Sequence, residues 1–235
     1  MTWNIHKGVG GVDRRYDLRR TVEVIAHYAP DIALLQEVAQ DMPSLRWHDQ
    51  VVLLAEQLQL HHAFHLEHQF KIGGYGNLIL SRWAPSDVSH LDLTIGSRKK
   101  RGLVQAHLRI RTGGHQRTVV VHNLHLGLAG SERDRQLSRF IEYHPFRGLH
   151  RNTPLIVGGD LNDVWGSLGP KHLEPVGLQR AGGLRNTFPA AMPLRPLDGL
   201  FFRGDLHLEH WDVGGSQLAR TASDHRPIIA DFTLV

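Results

Sequence analysis

Leu155-Ile156-Val157-Gly158-Gly159-Asp160-Leu161-Asn162-Asp163 is the stretch whose reading decides the fold. Three apolar residues, two of them β-branched, run into a glycine pair, which predicts a short core strand rather than a helix. The strand delivers Asp160 and Asn162 to its end. Residues two apart in an extended segment point the same way, so a carboxylate and an amide face one point in space. The carboxylate can polarise or deprotonate a water, and the amide can hold that water or ligate a metal without adding charge. An Asx-rich turn after a strand is the common structural alternative.

Outward from this stretch, short apolar runs alternate with amphipathic ones, which predicts an α/β chain. Strands are expected at Thr2–Ile5, Ile32–Leu35, His62–Leu66, Gly76–Ser81, Val88–Ile95, Val104–Ile110 and Thr118–Leu124. Leu197–Phe202, Leu206–Val213 and Pro227–Leu234 are expected to close the chain as strands. Asp17 is placed to cap a helix with Leu18, Val22, Ile25 and Ala26 on one face, and Asp49 a second with Val51, Leu54, Ala55 and Leu58. Ser131 with Asp134 is similar to a capping box for a third helix, which buries Leu137, Phe140 and Ile141. Neither a repeat nor a linker interrupts the pattern, so residues 1–235 are expected to form a single domain.

Polar residues of the catalytic type recur at strand ends: Asn4, Glu37, His125, Asp160 with Asn162, Asp198, and Asp224 with His225. A strand end is held by the scaffold yet open to solvent, so six such segments predict a converging site. Glu37 follows an apolar strand, where a carboxylate is costly unless paired or bound to a cation. A hard divalent ion such as Mg²⁺ takes one or two protein carboxylates and keeps its waters and substrate oxygens, a role that suits Glu37. Asp224 and His225 pair a metal-side carboxylate with an imidazole able to meet a phosphate oxygen. Asp198 is a candidate orienter of that imidazole. His122 and His125, three apart on a strand, point to opposite faces; His125 is taken for the site and His122 as structural.

Composition narrows the chemistry. The 235 residues include no cysteine, which excludes disulfides, thiolate zinc sites and a thiol nucleophile. Arginine accounts for 22 of the 27 basic residues, and there are 18 histidines. Both suit phosphate and acid–base work, and both are also ordinary surface residues. A net charge of +4 is too small to name a polyanionic partner. No apolar run approaches the 18 residues of a membrane span, and the opening MTWNIHKG lacks a signal-peptide pattern, so a cytoplasmic location is expected.

With these residues in hand, the chain resembles the endonuclease/exonuclease/phosphatase superfamily of metal-dependent phosphoesterases. TWN, LLQE, NLHL, GGDLN, PLDGLFF and SDH occur in the family's order from residue 2 to residue 225. NIHKGVGG and NTFPAAMPLRPLD look most like a bacterial branch of undefined substrate. The resemblance implies a four-layer α/β sandwich, two mixed sheets face to face flanked by helices. It implies that Asn4, Glu37 and Asp224 hold Mg²⁺, or Mn²⁺, and that Asp160 activates the attacking water. Asn162 would position that water and touch phosphate. His125 and His225 would stabilise charge on the phosphate, with Asp198 orienting His225. The implied reaction is phosphodiester hydrolysis, with nucleic acid the first substrate expected and a phospholipid head group the alternative. A non-catalytic binding protein on the same fold is the reading from a different class, and a monomer is favoured. The family's first strand is longer ahead of its Asn than the three residues that precede Asn4, so further residues upstream are an expectation. Gly199 stands where the family carries a large residue, and the inositide-phosphatase patterns are not matched.

Several residues stand beside that core. In SRKKRG, at 97–102, Arg101 is the expected phosphate contact outside it. Asn77 is a candidate for the site rim and Trp165 for the pocket wall. In HHAFHLEH, at 61–68, His61 and His65 are expected on one strand face and His62 and His68 on the other. Arg133 and Arg135 open a helix where its dipole disfavours cations, so they require compensation.

Overall fold

The computed structural model describes residues 1–112 and 114–235. Twelve strands form two six-stranded sheets. The first holds β1 (Thr2–Asn4), β2 (Ile32–Gln40), β3 (His61–Gln69), β4 (Gly74–Ser81), β11 (Leu206–Val213) and β12 (Ile228–Leu234), in the order β11-β12-β1-β2-β4-β3. The second holds β5 (Pro85–Asp92), β6 (Gly102–Thr112), β7 (His115–His125), β8 (Leu155–Asp160), β9 (Gln179–Arg180) and β10 (Asp198–Arg203), in the order β5-β6-β7-β8-β10-β9. Each sheet is mixed, with a parallel pair at its centre: β1 with β2, and β7 with β8.

Side-chain alternation stacks the layers. On β8, Leu155 and Val157 face the helices, whereas Ile156 faces the other sheet. On β7, Val120 and Leu124 point outward and Val119 and Val121 point inward. The inward faces of both sheets meet through Leu34, Ile79, Val104, Val121, Ile156 and Leu200. Outside the first sheet lie α1 (Leu18–Tyr28), α2 (Gln50–Leu58) and, behind the second, α3 (Gly130–Glu142) and α4 (His144–Arg147), with α5 (Gln217–Ala222) beside α1. The result is the expected four-layer sandwich. Each fully buried Leu or Phe contributes on the order of 1.5–3 kcal/mol to it.

Asp17 and Asp49 cap α1 and α2, accepting from Arg19 N–H and from Val51 and Val52 N–H. The expected capping box at Ser131 does not form. Helix α3 starts two residues earlier, with Ala129 at its N-cap and no side-chain cap, while Asp134 turns to Lys171 and His172. Arg133 is compensated by carbonyls: its guanidinium donates to those of Gly127 and Leu128. Strand β5 runs over Pro85–Asp92 instead of ending at Ile95. Strand β2 continues past Leu35 to Gln40 through a bulge.

One polar network crosses the dry seam between the sheets. Gln36 Nε2 donates to Thr2 Oγ1, Leu34 O and Asn123 Oδ1, the last at 2.7 Å, and Asn123 Nδ2 donates to the carbonyls of Leu35 and Leu78. Apolar pairs leave sheet registry loosely specified, whereas buried amides with fixed partners accept few alternatives. The network therefore ties the end of β1–β2 to the end of β7, where the polar residues gather. A cavity of about 570 Å³ opens at the opposite end, between Met1, Ile32, Trp83 and Phe232, and touches none of them.

Candidate active site

The inward faces of the strands carry the site. Asn4 lies on the Thr2 side of β1, opposite the helix-facing Trp3. His125 shares the face of Val119 and Val121, Asp160 that of Ile156, and Asp198 that of Leu200 and Phe202. Strand register sets them level: His125 pairs with Asp160 across β7–β8, and Asp198 with Asp160 across β10–β8. The site thus forms where the seam between the sheets opens, at the carboxyl ends of the parallel strands, as in open α/β sheets generally.

Glu37 breaks the alternation. By strict period two it would face the helices with Leu35. Instead Gln36 and Glu37 together lie opposite Asn77, and Glu37 takes a left-handed φ of 56°. Lys7, with φ 59°, brings its ammonium onto Glu37 Oε2. Asn162 is left-handed too, at φ 49°. Non-glycine residues held at positive φ cost energy that the surroundings must supply, and they gather where a side chain has to be re-aimed.

Asp160 is the hub. Its Oδ2 accepts from Asn4 Nδ2 at 3.0 Å and lies 3.4 Å from His125 Nε2 and 3.8 Å from His225 Nε2, while its Oδ1 accepts from Asn162 N–H at 2.9 Å. Burial, helped by the neighbouring Asp198 carboxylate, pushes its carboxyl above the usual range. His225 Nδ1 meets Asp198 Oδ2 at 2.8 Å, and Thr187 Oγ1 donates to the same oxygen. Burial alone would push the His225 imidazole down, but the carboxylates of Asp198, Asp160 and Asp224 outweigh it and raise it to about 10. His225 is therefore a cation at neutral pH.

His125 is the neutral partner. Burial, then the charges of Arg101 and His225, push it well below its ordinary value. Arg101 Nη1 lies 3.2 Å from His125 Nδ1. A guanidinium only donates, so Nδ1 accepts and the ring proton sits on Nε2, toward Asp160. One neutral and one cationic imidazole thus flank the Asp160 carboxylate.

Glu67 was not selected in the sequence. Its Oε1 accepts from Gly102 N–H at 2.9 Å and from Asn77 Nδ2, and its Oε2 lies 4.0 Å from His125 Nδ1. Burial pushes its carboxyl up to about 8, against the charge of Arg101. Asn77 accordingly serves the site by holding Glu67 and Gly102 O rather than by shaping a rim. The Glu67 signal, LEH in a histidine-rich run, was masked by its neighbours; β3 has a register shift at Glu67. Lys7, Tyr75 and Lys99 were also missed. The Lys7 and Lys99 ammoniums lie 5.1 and 5.2 Å from the Tyr75 ring. Burial would raise the Glu37 carboxyl, but Lys7, His6 and Lys99 together hold it below the usual range.

Other expectations resolve in detail. Arg101 is buried at His125, and its Nε has no partner among the described residues. Asn162 Nδ2 donates to Leu126 O, leaving its second N–H and its carbonyl oxygen free of protein partners among the described residues. His122 faces Phe140, bonds Gln105 Oε1 at 2.7 Å, and is pushed down to about 3 by burial. Trp165 is 82 % exposed and forms no closed wall. Gly199 has no room for the large family residue: a Cβ there would meet Phe201 at 2.8 Å and Leu161 at 3.0 Å, and Arg180, stacked on Phe201, occupies the rest.

Two donor sets are candidates for a metal. Ligand atoms of Asp160, Asp198 and His225 lie within 4.8 Å of one another. There, however, His225 Nδ1 already meets Asp198 Oδ2 at 2.8 Å, and the acids around the ring favour its protonated form, which offers a metal no lone pair. Glu37, Asp224 and Asn4 instead offer oxygens only, the set a hard divalent cation prefers. In this second set the Lys7 ammonium meets Glu37 Oε2, and Asp224 Oδ1 lies 3.6 Å from His6 Nδ1. By donor type these residues fit a hard divalent ion.

Comparison with known proteins agrees with this architecture. The pattern of the Endonuclease/Exonuclease/phosphatase family matches residues 1–225. The protein YbhP of Escherichia coli (strain K12) is 28 % identical over 254 residues, covering 100 % of this chain and 95 % of its own. The crystal structure of an endonuclease/exonuclease/phosphatase from Beutenbergia cavernae superposes with a TM-score of 0.82 at 25 % identity, over 99 % of this chain and 70 % of that one. A mannosyl-6-phosphatase from Bacteroides thetaiotaomicron shares the fold with a TM-score of 0.76 at 16 % identity, over 99 % of this chain and 98 % of that one.

Proposed function

The chain belongs to the Endonuclease/Exonuclease/phosphatase family, a family of phosphoester hydrolases, and within it we propose that this protein hydrolyses a phosphodiester with a water activated by Asp160, aided by Mg²⁺ or Mn²⁺. The observation that carries this reading is the buried Asp160 carboxylate with a neutral imidazole on one side and a cationic one on the other. Phosphoryl transfer asks for an in-line water, a base and charge neutralisation more than for covalent chemistry.

In this reading Asp160 takes a proton from water. Water oxygen bonds to phosphorus, the bond from phosphorus to the leaving oxygen breaks, and that oxygen takes a proton from solvent as it departs. Asn4 and the Asn162 N–H fix both Asp160 oxygens so that its remaining lone pairs face the water. His225, cationic, stabilises charge on the equatorial phosphate oxygens, and Asp198 with Thr187 holds its ring. His125 donates its Nε2 proton at the same locus, and Arg101 fixes that tautomer. A divalent ion held by Glu37, Asp224 and Asn4 would neutralise phosphate charge and assist the leaving oxygen. Lys7 and Lys99 would draw the anionic substrate to the mouth.

The test is release of p-nitrophenol from bis-p-nitrophenyl phosphate. Activity is expected with Mg²⁺ or Mn²⁺, abolished by EDTA and restored by excess metal. Turnover that persists in EDTA would sink the metal-assisted part of this reading.

A further inference from the structure

The mouth of the site is greasy. Leu128 follows β7 two residues past Leu126, whose N–H is bonded to Asp160 O, and it is 75 % exposed. Trp165 and Leu184 lie on neighbouring loops, where a Cβ on Gly166 would meet Leu184 at 2.4 Å. Met192 and Leu194 stand on the segment that bonds Asp224 O through Ala190 N–H and sets Phe188 against His225. On the other side, Trp47 follows β2, and Phe70 and Ile72 form the β3–β4 turn beside Tyr75. Val12 follows Gly11, which abuts Asp224. Among the described residues, the large apolar side chains this exposed elsewhere are only valines: Val52, Val88 and Val235.

Basic residues interleave with this rim. Arg46 precedes Trp47, Lys71 separates Phe70 from Ile72, Arg185 follows Leu184 and Arg195 follows Leu194, all exposed. Exposed Lys100 and half-exposed Arg98 crown the β5–β6 turn. A large exposed apolar patch on a monomer marks an interaction surface. Leu, Ile and Met have no ring face on which a base can stack, so most of the rim is poorly made for single-stranded nucleic acid. Aliphatic and aromatic side chains that enter the acyl boundary, alternating with cations that meet lipid phosphates, suit an anionic bilayer.

We propose that the loops around the site dock on an anionic phospholipid surface, and that the phosphodiester presented to Asp160 belongs to a lipid head group. The second half rests on the hydrolytic function proposed above; the docking half does not. The products are a free head-group alcohol or its phosphate, and the complementary lipid, with water supplying the oxygen to phosphorus.

The test separates the two halves. The whole protein is sedimented in EDTA with vesicles of phosphatidylcholine alone or mixed with phosphatidylglycerol, beside a variant carrying Trp47→Ser, Leu128→Ser and Leu194→Ser. Wild type is expected to pellet with the mixed vesicles at least about tenfold better than with phosphatidylcholine, and the variant to lose that binding about tenfold. With Mg²⁺, the variant is expected to cleave bis-p-nitrophenyl phosphate within about twofold of wild type and vesicle-borne phosphatidylglycerol about tenfold more slowly. Equal pelleting of variant and wild type, or no pelleting, overturns the docking surface. Binding of single-stranded DNA that competes with vesicles and is lost in the variant would assign the rim to nucleic acid and overturn the lipid proposal. Vesicle binding without cleavage of the soluble diester would sink the hydrolytic function and leave docking standing.

Discussion

Asp160→Asn is expected to lower the metal-dependent rate on bis-p-nitrophenyl phosphate by about 10³-fold, within the range a general base supplies. The substituted amide keeps the shape but has no lone pair basic enough to take the proton of water. Its oxygen can still accept from either Asn4 Nδ2 or Asn162 N–H, but not well from both. The lost hydrogen bond costs about 1–3 kcal/mol, and relief of a buried charge offsets part of it. The fold should therefore survive, with an unchanged circular dichroism spectrum. A variant that keeps wild-type turnover would remove Asp160 from the chemistry.

Asp198→Asn is the second large effect, a loss of about 10²-fold at neutral pH. Asp198 Oδ2 accepts from both His225 Nδ1 and Thr187. An amide there either turns its NH₂ toward the imidazole or gives up Thr187, and in both cases the ring orientation loosens. The pH profile gives the sign. The wild-type His225 imidazole, raised to about 10, stays protonated through neutrality, so its contribution fades only as pH rises toward that value. Without the Asp198 charge, burial dominates and the folded-state value falls. The alkaline limb of kcat/KM should then move to lower pH, with partial recovery as the medium is acidified. A variant with reduced rate and an unmoved profile would mean that Asp198 acts only in packing.

Much of this was written in the chain. LIVGGD reads as a core strand because its alternation, apolar out and apolar in, is unbroken up to Asp160. The same period of two separates His122, against Phe140, from His125 in the site. The illegible parts are those in which a local rule is broken by tertiary demand. Glu37 was legible as a carboxylate after an apolar strand, but the strand runs on to Gln40, and Glu37 reaches the mouth through a bulge that no hydrophobic count reveals. Glu67 lies among four histidines whose polarity hides its burial; its partners, Asn77 and Gly102 N–H, come from β4 and β6 rather than from its own run. Lys7 lies in the very motif that carries Asn4, yet only a left-handed backbone turns it onto Glu37. The missing capping box at Ser131 has a similar cause, because Asp134 finds better partners in Lys171 and His172.

The charge pattern joins the site to its surroundings. A neutral His125, a cationic His225 and a carboxylate between them are set by burial and by three neighbouring acids, not by composition. Of the 18 histidines these two face Asp160, and they differ because His225 has Asp198 on its Nδ1 whereas His125 has Arg101. The rim adds to this core a surface whose apolar and basic side chains alternate, and its chemistry matches a phosphate carried at an interface.

The most direct measurement is a single turnover of bis-p-nitrophenyl phosphate with Mg²⁺ in water labelled with heavy oxygen. Attack of an Asp160-activated water on phosphorus predicts one heavy oxygen in the p-nitrophenyl phosphate product, none in the released p-nitrophenol, and no phosphoryl group left on the protein. Label in the p-nitrophenol, or a phosphorylated side chain that accumulates before product appears, would contradict the account.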